Sequence, residues 1–176
     1  MQEFSKQMEE SGGEAKLKNI SLAISILAVL VAMVTVLGHR SHTRAILMQS
    51  RAGDQWNQYQ AKKNRQEDLS VTVATLPLQP TADAKRTATL LAEYQAQIAK
   101  WKNDEKAEQE AAEGFEREVE RAESQAEHFD LGEALLQISV VFSSITLFTR
   151  RRRYFIGGLV MGLIGVVVAA SAWTVR

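Results

Sequence analysis

The chain contains no cysteine, and only two of its 176 residues are proline. The absence of cysteine excludes disulfide bonds and thiolate metal sites. Lysine plus arginine and aspartate plus glutamate are equal in number, 21 each, so the formal net charge is zero. A balanced chain gives no indication of a nucleic-acid partner or of an acidic substrate. The sequence has no phosphate-binding loop, zinc-protease helix motif or nucleophile elbow, so we predict no catalytic residue and no cofactor.

Long apolar runs, in contrast, occur three times, at residues 20–38, 131–149 and 154–173. A helix rises about 1.5 Å per residue, so each run would be about 28 to 30 Å long, which matches the hydrocarbon core of a bilayer. The predicted fold class is therefore an all-α membrane protein with three transmembrane helices. The first run is longer than the core of a secretory signal and no small-residue cleavage motif follows it, so we interpret it as an uncleaved anchor.

These runs also set the predicted domain boundaries. The remaining parts are a polar N-terminal segment (1–19), an extramembrane segment (39–130), an arginine turn (150–153) and a C-terminal tail (174–176). The extramembrane segment is rich in Glu, Gln, Ala, Lys and Arg, a composition that is typical of long helices and coiled coils. We therefore expect helices in this segment rather than a globular core.

The distribution of lysine and arginine near the span ends predicts the orientation, because cytoplasmic loops are richer in these residues. The N-terminal flank and the arginine turn share one side and carry seven basic residues, while the other side carries six. The two sets are Lys6, Lys16, Lys18 and Arg150 to Arg153, and Arg40, Arg44, Arg51, Arg117, Arg121 and Arg176. Short loops obey the rule better than long segments do. We therefore expect a cytoplasmic N-terminus, with the extramembrane segment and the C-terminus in the periplasm.

Pro77 and Pro80 interrupt the extramembrane segment and preclude a continuous helix. The simplest solution is an antiparallel helical hairpin, a coiled coil whose turn lies near residues 70–82. The ascending arm would run from His39 to about Leu69, because residues 70–75 are largely β-branched and form helices weakly. The descending arm would begin near Asp83, a residue type that often caps helix N-termini.

The two predicted arms differ in length, so the hairpin would have to be irregular. One alternative is a break in the longer arm at Asn103-Asp104 or at Gly114. The other is a connection at residues 70–82 that folds back along the longer arm.

A heptad pattern indicates which faces of the two arms are in contact. In the descending arm fourteen positions follow strict 3,4 spacing, and eleven of them are apolar, which is typical of a coiled coil. This descending seam consists of Ala84, Thr87, Leu91, Tyr94, Ile98, Trp101, Glu105, Glu108, Ala112, Phe115, Val119, Ala122, Ala126 and Phe129. The ascending arm has a weaker series, the ascending seam: Ala45, Met48, Ala52, Gln55, Tyr59, Lys62, Gln66 and Leu69, with Trp56 beside it.

The charges of the two arms are complementary. Residues 39–65 hold six basic residues against one acid, whereas residues 104–130 hold eleven acids against three basic residues. An exposed ion pair contributes less than about 1 kcal/mol, but opposed blocks of charge select one pairing over others. The alternative is that the acidic run is simply a solvated face.

Small residues recur at 4,3,4,3 spacing in the transmembrane runs, and in lipid such stripes mark close helix contacts. The first stripe is Ser21, Ser25, Ala28, Ala32 and Thr35, and the third stripe is Gly158, Gly162, Gly165, Ala169 and Ala172. The second stripe is Gly132, Ser139, Ser143 and Thr146, with Leu136 interrupting it. The pattern predicts a tightly packed bundle, and it fits contacts within one chain as well as contacts between chains.

The hairpin would bring all three histidines to one membrane interface. They are His39 and His42, which follow the first span, and His128, which precedes the second span with Asp130. Two histidines at i and i+3 together with a carboxylate can bind a metal ion. The simpler interpretation is that they contact lipid headgroups or pair with Glu127 and Glu133, so we predict no metal site.

Glu133 and Gln137 lie one turn into the second span, where a carboxylate is costly unless it is paired or close to the interface. Such residues can mark an ion path. More often they anchor a helix end, and Arg40 or Arg44 is a reachable partner for Glu133.

One stretch, DQWNQYQAK at residues 54–62, follows an N-terminal span and precedes a long charged helix and a C-terminal apolar pair. This arrangement resembles an uncharacterised family of bacterial inner-membrane proteins, domain of unknown function 4337. The resemblance implies a bacterial inner membrane and no known activity. The matching positions are Asp54, Trp56, Tyr59 and Lys62. Trp56 and Tyr59 share a helix face at i and i+3, and we favour a packing role on the descending arm or on a partner over a ligand site.

Taken together, the sequence favours a non-enzymatic membrane scaffold or accessory subunit that forms a homo-oligomer or joins a larger membrane complex. The predicted interaction residues are Trp56, Tyr59, Gly158, Gly162, Gly165 and Glu133. The alternative is a channel or transporter component lined by the second span through Glu133, Gln137, Ser139 and Ser143. A metal-binding or enzymatic membrane protein comes third, since only the histidines could support one.

Overall fold

The computed structural model describes the backbone of residues 2–80 and 83–175, and the side chains of residues 17–80 and 83–175. Three long helices follow one another along the chain: α1 (Gln2–Thr75), α2 (Ala84–Thr149) and α3 (Arg152–Ser171). Two short 3-10 helices, Leu76–Leu78 and Ala172–Thr174, follow α1 and α3. The described residues contain no strand, so the prediction of an all-α fold is confirmed.

Three helical segments are long and apolar enough to cross a membrane. They lie within Leu17–Leu78, Ala84–Thr149 and Arg152–Thr174, in the order predicted from the apolar runs. Three basic residues that entered the prediction of orientation, Lys6, Lys16 and Arg176, and residues 81–82 of the predicted turn lie outside the described side chains.

Helix α1 continues to Thr75, so the prediction that the ascending arm ends near Leu69 is wrong. Helix propensity differs by less than about 1 kcal/mol per residue among these residue types, too little to end a long helix by itself. The hydroxyl groups of the stretch bond to the preceding turn and leave the backbone helical: Ser70 Oγ donates to Gln66 O at 2.7 Å, Thr72 Oγ1 to Asp68 O at 2.9 Å, and Thr75 Oγ1 to Val71 O at 2.9 Å.

Helix α2 begins at the predicted cap and runs without a break. The Arg86 N–H donates to Asp83 Oδ1 at 3.1 Å, and the Thr87 N–H donates to Asp83 O at 3.2 Å. Asp83 therefore caps the helix as predicted. The alternative of a break at Asn103-Asp104 or Gly114 is wrong, since α2 is continuous to Thr149. A glycine inside a helix costs only about 1 kcal/mol relative to alanine, which packing of the helix face readily offsets.

The connection between α2 and α3 is shorter than the predicted arginine turn, because Arg152 and Arg153 already belong to α3. Arg150 has a φ of 54°, and it is the one non-glycine residue with positive φ in the described part of the chain. Its N–H donates to Thr146 O at 2.8 Å and closes the last turn of α2. This is the left-handed conformation in which many helices end, usually at glycine.

Two compact units make up the described residues. One comprises the chain up to Arg44 together with the chain from Arg121 onward, and the other is Ala45–Glu120. The core of the first unit is formed by Leu27, Val34, Phe129, Leu136, Ala169 and Ala172. In the second unit the buried apolar residues are three alanines, Ala45, Ala52 and Ala112.

Candidate functional site

Both predicted seams coincide with the covered faces of their helices. All eight positions of the ascending seam are buried or half-buried, and so are the positions of the descending seam from Thr87 onward. Ala84, at the start of α2, is exposed. The heptad pattern therefore identified the faces of α1 and α2 that are shielded from solvent.

Within the second unit, Trp56 joins α1 to α2. Its Nε1–H donates to Glu116 Oε1 at 2.8 Å. The indole also meets the Tyr59 ring edge to face, with centroids 5.5 Å apart and planes at 88°. Lys63 Nζ lies 5.7 Å from the centroid of the same tyrosine ring, within reach of a cation–π interaction. The two aromatic residues thus share one helix face, as their spacing predicts.

The polar exceptions of the two seams bond to each other. Tyr59 O–H donates to Glu105 Oε1 at 2.9 Å, and Lys62 Nζ donates to Glu108 Oε1. Glu108 is well covered, with 16% of its side chain exposed, and its Oε2 is buried without a partner among the described residues. We call Tyr59, Lys62, Glu105 and Glu108 the polar layer. Three of the four positions that resemble the family motif, Trp56, Tyr59 and Lys62, therefore bond glutamates of α2.

In the first unit the second and third stripes pack directly on each other. Every position of both stripes is buried, including Leu136, which interrupts the second stripe. Ser139 Oγ donates to Gly158 O at 2.6 Å, a bond between α2 and α3 that only a close approach of the two backbones allows. The Ser143 hydroxyl is also buried there and has no partner among the described residues.

The glycines of the third stripe leave no room for a side chain. A methyl group at Gly158 would lie 2.7 Å from Ser143 Oγ and 3.0 Å from Ser139 O. At Gly162 it would lie 2.7 Å from Ser139 Oγ and 3.0 Å from Leu27 Cδ2, which belongs to α1. Gly158, Gly162 and Gly165 are thus helix-contact residues within this chain. Gly157, beside the stripe, has open space around it.

The first stripe behaves differently from the other two. Ser21, Ser25, Ala28 and Ala32 are exposed, and Thr35 is half-buried. The face of α1 that packs within the chain carries Leu27, Val34 and Gly38 instead. One small-residue stripe is therefore left uncovered by the described residues of this chain.

The predicted interfacial cluster is only partly brought together. His42 Nε2 and Asp130 Oδ2 are 2.9 Å apart, whereas His128 Nδ1 bonds to Ser124 O of its own helix at 2.7 Å. Glu133 Oε1 accepts a hydrogen bond from Gln137 Nε2 at 2.8 Å. Across residues 17–80 and 83–175, no group of three or more histidine, aspartate or glutamate side chains is placed to hold a metal ion. Two of the residues proposed to line a channel, Ser139 and Ser143, lie buried between α2 and α3 instead.

Sequence reasoning missed the partners of several of these residues. In the sequence, Glu105 and Glu108 are two of the polar positions that interrupt the descending seam, and no pattern distinguishes Leu27. The available signal for the glutamates was that the ascending seam has polar residues of its own at Tyr59 and Lys62. Nothing in the spacing alone indicates that Leu27 would contact Gly162.

A family model matches nearly the full length of the chain. No curated protein and no solved structure matches the chain. The model of one family, described as a domain of unknown function, DUF4337, matches residues 16–175 and so includes α2, α3, the motif at residues 54–62 and most of α1. The chain belongs to this family, as the sequence resemblance predicted.

Proposed function

We propose that this protein is a membrane scaffold or accessory subunit, without catalytic activity of its own, that assembles first of all with a second copy of itself. The observation that carries the proposal is the uncovered first stripe on α1. The other two stripes have the same spacing and are fully buried against each other. The first stripe, which has the same spacing, is suited to the same type of contact with another transmembrane helix.

The second element of the proposal is an antiparallel coiled-coil hairpin formed by α1 and α2. The covered seams, the bonds of Trp56, Tyr59 and Lys62 to glutamates of α2, and the complementary charge of the two arms support it. In a coiled coil, polar residues at seam positions fix one register at some cost in stability. The polar layer is suited to that role, which makes the hairpin a stiff element for holding partners.

The test of assembly enlarges residues on the first stripe. Ala28→Leu and Ala32→Leu should shift the protein toward the monomer while the single chain stays folded, because both side chains are exposed in the single chain. Val29→Leu and Met33→Leu are the matched controls, since these neighbours are 59% and 58% exposed but lie off the stripe. Purification in mild detergent followed by native mass spectrometry gives the stoichiometry.

Equal stoichiometry for all four variants and the unaltered protein would remove self-assembly through α1. Co-purification of a different chain in fixed ratio, lost in Ala28→Leu and Ala32→Leu only, would instead identify an accessory subunit of a larger complex.

We further propose that the three apolar segments cross the inner membrane of a bacterium, with the N-terminus in the cytoplasm and the hairpin and C-terminus in the periplasm. The short, arginine-rich connection between α2 and α3 supports this orientation. Because the chain has no cysteine, single cysteines can be labelled against a clean background. Gln79→Cys should react with a membrane-impermeant thiol reagent in intact spheroplasts, whereas Arg152→Cys should not. The reverse pattern would place the hairpin in the cytoplasm.

A further inference from the structure

A cavity of about 530 Å³ in the first unit combines an apolar wall with arginine side chains. Its lining residues are Leu17, Asn19, Ile20, Thr146, Arg150, Arg152, Phe155 and Ile156. The volume falls in the range of about 300 to 1,000 Å³ that is usual for small-molecule sites. We propose that this cavity binds an anionic phospholipid, with the phosphate of the headgroup at the arginines and an acyl chain along the apolar wall. The proposal rests on the membrane location proposed above but not on self-assembly.

The electrostatics of the cavity favour an anion. Arg150 and Arg152 line it, and none of its described lining residues is a carboxylate. Within residues 17–80 and 83–175, neither arginine side chain forms an ion pair with an aspartate or glutamate. Guanidinium groups bind phosphate through two parallel hydrogen bonds, which makes arginine well suited to this ligand.

The backbone conformation at the cavity also supports an anion-binding site. Arg150 holds a left-handed conformation, with φ of 54°, that glycine would adopt without a steric penalty. Residues held in such uncommon backbone conformations cluster at active sites and ligand-binding sites. In addition, α3 begins at Arg152 without a side-chain cap and without an acidic residue in its first turn. The partial positive charge of this helix end adds to that of the arginines.

The apolar wall distinguishes a lipid from a free phosphate ion. Leu17, Ile20, Phe155 and Ile156 supply half of the lining residues, and Ile156 is 59% exposed. A small hydrated anion gains nothing from such a wall. An acyl chain does, because it makes van der Waals contacts along the wall, the kind of contact that holds apolar groups together inside a membrane.

The test compares binding of phosphatidylglycerol and phosphatidylcholine, with identical acyl chains, to the full-length protein by native mass spectrometry in mild detergent. We expect the protein to prefer phosphatidylglycerol by about tenfold, because the choline cation of phosphatidylcholine offsets the phosphate charge that the arginines attract, whereas phosphatidylglycerol keeps its net negative charge. The double variant Arg150→Gln with Arg152→Gln should lose this preference. Its matched control, Arg151→Gln with Arg153→Gln, removes the same charge from residues that do not line the cavity, and it should keep the preference within about twofold.

A second pair of variants tests the acyl-chain part of the site. Ile156→Ser should weaken phosphatidylglycerol binding, whereas Ile164→Ser should not, because Ile164 is also exposed on α3 but lies away from the cavity. Both side chains are already exposed, so neither change should unfold the protein, and this pair decides the question alone if the arginine variants do not fold. Circular dichroism checks folding in every case.

Three results would overturn the proposal. The first is an equal loss of preference in both double-arginine variants, which would show a diffuse charge effect. The second is competition by millimolar inorganic phosphate together with indifference to Ile156→Ser, which would show a free-phosphate site. The third is equal binding of the two lipids by the unaltered protein. Each spectrum also reports stoichiometry, and lipids are counted per chain, so failure of self-assembly is read separately from failure of lipid binding.

Discussion

Two helix contacts in this molecule differ in the size of the groups that meet. One is the contact between α2 and α3, and the other is the contact between α1 and α2 in residues 45–120. Between α2 and α3 the facing side chains other than Leu136 are small or absent, and backbone atoms lie within hydrogen-bond reach of the opposite helix, as the Ser139–Gly158 bond shows. Between α1 and α2 the described side-chain hydrogen bonds in residues 45–120 are made by long side chains, with tyrosine, lysine and tryptophan donating to glutamates. The contact between α2 and α3 therefore depends on the absence of bulky side chains. The contact between α1 and α2 depends on hydrogen-bond donors that match acceptors.

The difference follows from the surroundings in which each contact would form. In lipid there is no hydrophobic gain from bringing apolar helices together, so close packing and interhelical hydrogen bonds have to supply the stability. In water a heptad seam gains from burial, and polar residues within it specify the register. The two contacts should therefore respond to different kinds of substitution.

The largest expected effect is the loss of stability from adding one methyl group at Gly158. Gly158→Ala should lower the free energy of unfolding by about 1 to 3 kcal/mol, because the new atom meets backbone that cannot move aside easily. Gly157→Ala makes the same change one residue away, in open space. It should be neutral or raise the free energy of unfolding by up to about 0.5 kcal/mol. Thermal unfolding followed by circular dichroism in detergent measures both. Similar values for the two variants would end the claim that space limits this contact.

The next effect concerns the covered ion pair of the polar layer. Lys62→Ala should cost about 1 to 2 kcal/mol, because it leaves the well-covered Glu108 carboxylate without its partner. Lys106→Ala is the control, since Lys106 and Glu110 are 85% and 67% exposed and 3.9 Å apart. An exposed pair of this kind contributes at most about 0.5 kcal/mol. A cost for Lys106→Ala equal to that for Lys62→Ala would show that general charge, not the polar layer, stabilises this contact.

A smaller loss is expected from Tyr59→Phe, which removes only the hydroxyl that donates to Glu105. The change should cost about 1 kcal/mol, the usual net contribution of one hydrogen bond. Tyr94→Phe is matched to it, because Tyr94 is also a half-buried tyrosine of a seam and its hydroxyl bonds to none of the described residues. Chemical denaturation of the two variants under identical conditions gives the difference. If Tyr94→Phe costs as much as Tyr59→Phe, the bond to Glu105 does not contribute to stability.

The smallest expected effect has the opposite sign. Arg150→Gly should raise the stability of the α2–α3 contact by up to about 1 kcal/mol, because glycine adopts the left-handed conformation without a steric penalty. Arg151→Gly is the control, since Arg151 has a φ of −94° and gains nothing from the change. It should instead lose about 0.5 kcal/mol through the greater freedom of the unfolded chain. A loss of stability in Arg150→Gly would mean that the arginine side chain stabilises the turn.

The covered faces of α1 and α2 could be predicted from the sequence because a long helix that is buried on one face has apolar residues at regular intervals. Residues at 3,4 spacing lie on one stripe, so the seams required no knowledge of a partner. Tyr59 and Glu105 show where this approach stops. Each looks like a polar defect in its own helix, and only the register of the two helices shows that the defects coincide.

The small-residue stripes show a second limit. Spacing predicted that Gly158 and Ser139 lie in helix contacts, and both do. The same spacing in α1 predicted the same for Ala28, which is exposed in the single chain. A small-residue stripe indicates that a helix can approach another helix closely. Whether that other helix belongs to the same chain or to a second chain depends on how all three helices pack. The strained conformation of Arg150 has no trace in the sequence at all.

The short connection between α1 and α2 has a consequence for the order of folding. In the proposed hairpin the chain would reverse between Thr75 and Ala84, so the entropic cost of closing a loop is smallest for residues near this connection. Tyr59 and Glu105 are separated by 46 residues, whereas Trp56 and Glu116 are separated by 60. Contacts near this connection should therefore form before those farther along the arms, and the Tyr59–Glu105 bond of the polar layer would form before the Trp56–Glu116 bond, which closes a longer loop.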